Sequence, residues 1–107
     1  MTPAIAPPTP SLLLDIDRFA ANHARLAMHL RALRVPLRPH VKTAKCLPLI
    51  LHALEGQPGG VTVSTLREAE ACLAGGITDI LYAVGIAPQK LADVAALQAR
   101  GAALTVI

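Results

Sequence analysis

Residues 61–84 have the sequence VTVSTLREAEACLAGGITDILYAV, and this stretch decides the fold class. Val61–Ser64 is a short run rich in β-branched residues, which predicts a strand. Thr65–Glu68 has the spacing of a capping box, which predicts the start of a helix. Gly75-Gly76 is the expected end of that helix, and Ile80–Val84 predicts a second strand. The stretch therefore predicts one complete strand–helix–strand unit.

The same alternation continues on both sides of this unit. Leu37–Lys42 predicts an earlier strand, and Leu47–Leu54 predicts the helix that follows it. A further helix is expected to begin at Pro88, and Ala103–Ile107 predicts a last strand. The four strands begin at residues 37, 61, 80 and 103, which are 24, 19 and 23 residues apart. This spacing predicts a parallel sheet, either an open doubly wound sheet or part of a (β/α)8 barrel.

The amino-terminal part is predicted to contain an arm, a strand and a long helix. Residues 1–10 are rich in Pro and Ala and predict a flexible arm, and Leu12–Leu14 predicts a strand. Asp17 is the expected cap of a helix that ends before Pro36. The apolar residues of this helix recur at helical spacing: Phe19, Leu26, Leu30 and Leu33. Because a whole barrel takes about 250 residues, we expect residues 11–107 to be the first part of a longer barrel domain.

Composition excludes several classes of protein. With 53% hydrophobic and 16% charged residues, the chain is too apolar for a disordered segment, and no apolar run is long enough to span a membrane. A net charge of +3, 2% aromatic residues and no basic cluster argue against a nucleic-acid site. Cys46 and Cys72 do not form a C-x-x-C pair, which favours a reduced, cytoplasmic protein.

The predicted strand Leu37–Lys42 is unusual because Arg38, His40 and Lys42 share one of its faces. One interpretation is an edge strand whose basic face meets solvent or acidic partners. The other places this face inside a barrel, where it meets an anionic ligand and where Lys42 lies at the carboxyl end of the strand, the end that bears catalytic groups in barrel enzymes. Composition and spacing leave both interpretations open.

Residues Arg38–Lys45, with the sequence RPHVKTAK, resemble the pyridoxal-phosphate motif of the D-threonine aldolase and D-serine dehydratase family. That family belongs to the fold-type III enzymes, whose barrel is similar to the alanine racemase N-terminal domain. Thr9–Asp15, Val61–Glu70 and Asp79–Gly85 also resemble family segments. Many members have His at the position of Ala44, so any role of that imidazole is missing in this chain.

The resemblance implies a partial TIM barrel of the alanine racemase N-terminal type, with about four βα units after an N-terminal strand and helix. It also implies a pyridoxal 5'-phosphate-dependent lyase that acts on D-β-hydroxy amino acids by aldol cleavage to glycine and an aldehyde. Alternatives are a D-serine dehydratase, an amino-acid racemase, or a non-catalytic pyridoxal-phosphate-binding homeostasis protein. The complete enzyme is expected to be a homodimer with a divalent metal in a second, β-rich domain, and the present chain alone is expected to be inactive.

Specific residues receive roles from this resemblance. Lys42 is expected to form the Schiff base with the cofactor. His40 and Ser64 are expected to contact the cofactor; the alternatives are a buried structural role for His40 and a helix-capping role for Ser64. Lys45 is a rival Schiff-base candidate just past the strand end, and Arg38 is expected to pair with a carboxylate inside the barrel.

Other polar residues are expected to have structural roles. We expect Thr65 to cap its helix and Tyr82 to pack in the core. His23, His29 and His52 are expected at the surface or at the boundary of the core. No set of side chains in the sequence has the spacing of metal ligands.

Overall fold

The structure is a computed structural model that describes residues 6–107. A parallel three-stranded sheet lies at its centre, in the order β1 (Val61–Val63), β2 (Asp79–Tyr82) and β3 (Ala103–Val106). The strands are parallel and follow the chain order, and each connection between them contains a helix. This is the arrangement that successive βα units produce, and it confirms the predicted partial barrel architecture.

In the described residues, four α-helices accompany the sheet: α1 (Ile16–Leu33), α2 (Leu47–Ala53), α3 (Leu66–Ala74) and α4 (Leu91–Ala99). A turn of 3-10 helix, Pro88–Lys90, leads into α4. The predicted helices after α1 are therefore confirmed to within a few residues. Within residues 6–107, no helix has the length and apolar character needed to cross a bilayer.

One face of the sheet packs against the helices and forms the core. Alternate strand residues point to this face and are almost fully buried: Val61, Val63, Ile80, Tyr82 and Leu104. They pack against buried residues of the helices, namely Ile50, Ala69, Cys72, Val94 and Leu97. The core thus fixes which strand residues face the helices and which face away from them.

The predicted strand Leu37–Lys42 is much shorter than expected. Only His40 forms a parallel bridge, to Thr62 of β1. The Thr62 N–H donates to the Pro39 carbonyl at 2.8 Å, and the Val41 N–H donates to the Thr62 carbonyl at 2.9 Å. Pro39 has no N–H to donate and the chain turns at Val41, so the pairing cannot extend. The segment still occupies the first position of the sheet, beside β1.

Two predictions about the amino-terminal part are wrong. Leu12–Leu14 is not a strand, because a strand needs a neighbour for its backbone groups and the described residues provide none; Leu12 is fully exposed. The cap of α1 is Asp15 rather than Asp17, since the Asp15 side chain accepts the Arg18 N–H at 3.0 Å. The arm prediction falls partly on residues 1–5, which lie outside the described residues.

Helix α1 contacts the rest of the fold through a small aromatic cluster. The His52 ring of α2 lies 5.1 Å from the Phe19 ring and 5.0 Å from the His23 ring, measured between centroids. His23 Nε2 lies 3.2 Å from the Ala53 carbonyl oxygen. His23 and His52 are half-buried, as expected for boundary residues, and α1 has no fully buried residue.

Candidate functional site

The sheet face opposite the helices, which we call the open face, is the face to which Arg38 and His40 belong, since Val41 between His40 and Lys42 is buried on the helix side. The bridge between His40 and Thr62 aligns the first segment with β1, and Thr62 is in register with Leu81 of β2. Residues that precede His40 lie at the amino ends of the strands. Residues that follow His40 lie at the carboxyl ends, where parallel barrels hold their chemistry.

At the amino ends, Arg38 and Asp79 form a bidentate ion pair that passes over β1. Arg38 Nη1 and Nη2 each donate to one carboxylate oxygen of Asp79 at 2.9 Å, and Nη1 also lies 3.3 Å from the Val61 carbonyl. Gly60 leaves the space for this pair, since a Cβ there would collide with both charged groups. The prediction that Arg38 pairs with a carboxylate is therefore confirmed. Its position at the amino ends indicates a role in stability.

His40 lies on the open face and is half-buried. Its Nδ1 accepts the backbone N–H of Lys42 at 3.2 Å. This contact fits the neutral tautomer with its proton on Nε2, because Nδ1 must offer a lone pair. His40 is thus arranged to present an N–H donor from Nε2, and its other nitrogen fixes the backbone of Lys42.

Lys42 lies in the turn that follows the first segment, beyond His40. Its neighbour Val41 is 2% exposed and belongs to the helix-side core, whereas Lys42 is exposed. The turn is closed by the Lys45 N–H, which donates to the Val41 carbonyl at 2.9 Å. No carboxylate of residues 6–107 forms an ion pair with Lys42. The strand end therefore presents an unpaired amine.

Ser64 follows β1 at the same end of the sheet. Its hydroxyl donates to Glu68 Oε2 at 3.1 Å, and its backbone N–H donates to the same oxygen at 2.7 Å. Because the hydroxyl proton is used in this bond, Ser64 Oγ can offer only lone pairs to a bound molecule. Ser64 is therefore suited to contact a hydrogen-bond donor.

Thr65 and Glu68 form the predicted capping box of α3. The Glu68 N–H donates to Thr65 Oγ1 at 3.0 Å, and the Thr65 N–H lies 3.3 Å from Glu68 Oε2. The structural role expected for Thr65 is confirmed. The sequence indicated this local box, but it did not indicate that the Glu68 carboxylate also binds Ser64.

Glu68 is a buried anion, with a side chain only 8% exposed. Burial by itself raises the pKa of this carboxyl, but the hydrogen bonds from Ser64 and Thr65 and the nearby Lys45 ammonium outweigh it and hold the pKa below its usual value. The neighbouring Cys72 is affected in the opposite direction. Burial, followed by the charge of Glu68, raises the pKa of the Cys72 thiol.

Lys45, the rival to Lys42, is engaged on the helix side of the site. Its Nζ lies 3.6 Å from Glu68 Oε1, and its backbone has the left-handed φ of 46°. Glu68 Oε1 is buried and makes no hydrogen bond with any described residue, so the Lys45 ammonium is its nearest electrostatic partner. Two lysines three positions apart therefore have different surroundings.

Tyr82 has the packing role that the sequence predicted. It is 1% exposed in the helix-side core, and its hydroxyl accepts a hydrogen bond from Lys90 Nζ at 3.2 Å.

Across the described part of the chain, no three His, Cys, Asp or Glu side chains are grouped so as to hold a metal ion.

Comparison with known proteins identifies the relatives of this chain. D-threo-3-hydroxyaspartate dehydratase from Delftia sp. (strain HT23) is 46% identical over 99 residues, which are 92% of this chain and 26% of that protein. Its solved structure superposes with a TM-score of 0.87 at 44% identity, covering 94% of this chain and 27% of that one. The fold therefore agrees over nearly the whole chain.

Two further curated proteins are similar at lower identity. D-threonine aldolase from Arthrobacter sp. is 36% identical over 85 residues, covering 78% of this chain and 22% of that protein. D-serine dehydratase from Schizosaccharomyces pombe is 33% identical over 91 residues, covering 80% and 22% respectively. The chain spans about a quarter of the length of these relatives. Residues 14–106 match the family described as alanine racemase, N-terminal domain. The chain belongs to that family.

Proposed function

We propose that this chain forms the lysine-bearing part of the active site of a pyridoxal-phosphate-dependent lyase that acts on D-β-hydroxy amino acids. One observation supports the proposal most strongly. In a chain of this family, Lys42 lies at the carboxyl end of the first sheet position, and its amine has no ion-pair partner within residues 6–107. A lysine with no carboxylate beside it is suited to covalent chemistry with an aldehyde.

The residues around Lys42 fit the cofactor that the family implies. Lys42 Nζ would hold pyridoxal 5'-phosphate, and His40 Nε2–H would donate to one of its oxygen atoms. Ser64, also predicted to contact the cofactor, would accept a hydrogen bond at that end of the sheet because its own hydroxyl proton is donated to Glu68. When bound, the cofactor supplies an electron-accepting ring that stabilises a carbanion at the substrate Cα.

The chain's own contribution to the reaction would be proton transfer and orientation. Lys42 Nζ would carry a proton to and from the substrate Cα as a general acid and base. The His40 Nδ1 contact with the Lys42 backbone, at 3.2 Å, would keep that lysine at the strand end. Positioning of this kind lowers the barrier because the reacting groups need no further ordering.

We infer dehydration rather than aldol cleavage as the reaction. The relative with 46% identity is named a dehydratase, and the relative named an aldolase is 36% identical. Aldol cleavage, the reaction implied by the first resemblance, stays the second candidate. The two differ in the products from a D-β-hydroxy amino acid, an oxo acid with ammonia in one case and glycine with an aldehyde in the other. The homodimer, the metal in a second domain and the cytoplasmic location stay predictions.

The proposal is tested by titrating the chain with pyridoxal 5'-phosphate and following the visible absorption band of the protein-bound cofactor. We expect the band in the unaltered chain and in the Lys45→Ala and Lys90→Ala variants, and we expect its loss in Lys42→Ala. A band that survives in Lys42→Ala would show that another amine holds the cofactor. The reaction itself is tested by product analysis on the complete reading frame that contains residues 1–107.

A further inference from the structure

We propose that Glu68 is a positioning residue that decides which of two nearby lysines reacts with the cofactor. It holds Lys45 on the helix side of the strand end, so that Lys42 is the amine without an ion-pair partner at the end of the first sheet position. The inference rests on the proposed function, because it concerns the same site. It assigns to Glu68 a task beyond its part in the capping box of α3.

The two lysines need such a device because they are close in sequence and chemically identical. Both belong to the short stretch between the first sheet position and α2, and the turn that separates them is closed by the bond from the Lys45 N–H to the Val41 carbonyl. Lys45 is 65% exposed, so packing alone does not immobilise its long side chain. A fixed charge is what distinguishes its position from that of Lys42.

Glu68 is well suited to act as that fixed charge. Its Oε2 accepts hydrogen bonds from the Ser64 N–H, the Ser64 hydroxyl and the Thr65 N–H, at 2.7, 3.1 and 3.3 Å. These bonds hold the carboxylate in one orientation and leave Oε1 towards Lys45 at 3.6 Å. A carboxylate held by three donors is a rigid anchor, whereas a free surface carboxylate would move together with its lysine.

The space on the helix side also favours this placement of Lys45. A cavity of about 250 Å³ lies between α2 and α3, and both Lys45 and Glu68 line it. Its other walls are mainly apolar: Val41, Leu47, Ile50, Ala71 and Cys72. The Lys45 side chain can therefore lie along apolar surface while its ammonium reaches Glu68. Val41 lines this cavity, whereas the next residue, Lys42, is exposed and does not line it.

The test maps where pyridoxal 5'-phosphate reacts. Amine and aldehyde condense with loss of one water, and borohydride then supplies the hydride that makes the linkage permanent. Peptide mass spectrometry gives the labelling of Lys42, Lys45 and Lys90, the three lysines of the chain. In Glu68→Gln we expect the ratio of Lys45 to Lys42 labelling to rise by about 1.4-fold to fivefold, the range to which the energy of an ion pair with one exposed partner converts.

Glu70→Gln is the matched control. Glu70 lies on the same helix and pairs with Arg100 at 2.9 Å, so this variant removes the same charge from α3 without touching Lys45. We expect its labelling ratio to equal that of the unaltered chain. If Lys42 is labelled first in every variant and the ratio does not change in Glu68→Gln, the role of Glu68 is refuted and the proposed function stands. If the unaltered chain shows no preference for Lys42, both are refuted.

A measurement without mutation covers the case in which Glu68→Gln does not fold. Raising the salt concentration to about 1 M shortens the screening length to about 3 Å, which weakens the pair between Lys45 and Glu68. Labelling of Lys45 relative to Lys90 is expected to increase, because Lys90 contacts the Tyr82 hydroxyl and has no carboxylate partner among the described residues. A ratio that stays constant with salt contradicts the proposal.

Discussion

Replacing Glu68 by Gln should destabilise the fold by about 1–2 kcal/mol at neutral pH. The amide oxygen of Gln can take the place of Oε2 and keep the three hydrogen bonds, but as neutral ones. A bond to a charged group contributes about 1.5–3 kcal/mol and a neutral bond about 0.5–1.5 kcal/mol. The two shorter bonds, at 2.7 and 3.1 Å, therefore lose about 1 kcal/mol each. Relief from burying a charge offsets part of this loss.

The effect should depend on pH in a defined direction. The pKa of Glu68 lies below its usual value of 4.5, so its contribution to stability is complete above about pH 4.5 and declines as the pH falls through the folded-state pKa. The difference in unfolding free energy between the unaltered chain and Glu68→Gln should therefore be widest above pH 4.5 and become small in acid.

The assay is urea unfolding at several pH values, with the midpoint as the measured quantity and an unchanged m-value as the check on the unfolded state. Glu70→Gln is again the control, because Glu70 is exposed and should change the midpoint little. A Glu68→Gln chain that is as stable as the unaltered one at pH 7 would refute the reasoning, since it would mean that the burial cost of the charge exceeds the gain from its hydrogen bonds.

Further predictions concern the ion pair at the amino ends, the core and the two cysteines. Arg38→Met and Asp79→Asn should each lower the unfolding free energy by about 0.5–1 kcal/mol, because each removes the same half-exposed ion pair. The double variant should therefore lose less than the sum of the two single losses, and additive losses in urea unfolding would contradict this pairing. Ile80→Ala should cost about 2–5 kcal/mol in the same assay, since the side chain is 0% exposed, and a loss below 1 kcal/mol would show a loosely packed core. Burial, followed by the charge of Glu68, raises the pKa of the Cys72 thiol. The contribution of the protonated thiol to the unfolding free energy is therefore lost as the pH rises through the folded-state pKa, which lies above the usual 9.0. Iodoacetamide should modify Cys46 before Cys72 in the folded chain, and equal rates by mass spectrometry would contradict the burial.

Helix α3 and its flanking strands were predictable because their signals are local. The capping box at Thr65 and Glu68 and the two glycines after Ala74 all lie within one helix length. The strand predicted at Leu12–Leu14 failed for the opposite reason, because a strand depends on a partner elsewhere in the chain. The cap of α1 was misplaced by two residues because Asp15 and Asp17 are chemically equal candidates and only the backbone distinguishes them.

The site was predictable in its residue types and not in its pairings. Alternation along one segment indicated that Arg38, His40 and Lys42 share a face, but it could not indicate which partners face them. Asp79 was missed because the second predicted strand began one residue later, at Ile80. Asp79 was therefore not expected in the sheet, where its carboxylate pairs with Arg38. Glu68 was identified only as part of a helix cap, because its contact with Lys45 depends on the left-handed backbone of Lys45, which the sequence does not predict.

The most direct test of the proposed function is to find which residue becomes covalently modified when the unaltered chain is treated with stoichiometric pyridoxal 5'-phosphate and reduced. We expect one added cofactor per chain, with the modified peptide containing Lys42 as the principal product. Modification spread evenly over Lys42, Lys45 and Lys90 would contradict a dedicated cofactor lysine at the carboxyl end of the first sheet position.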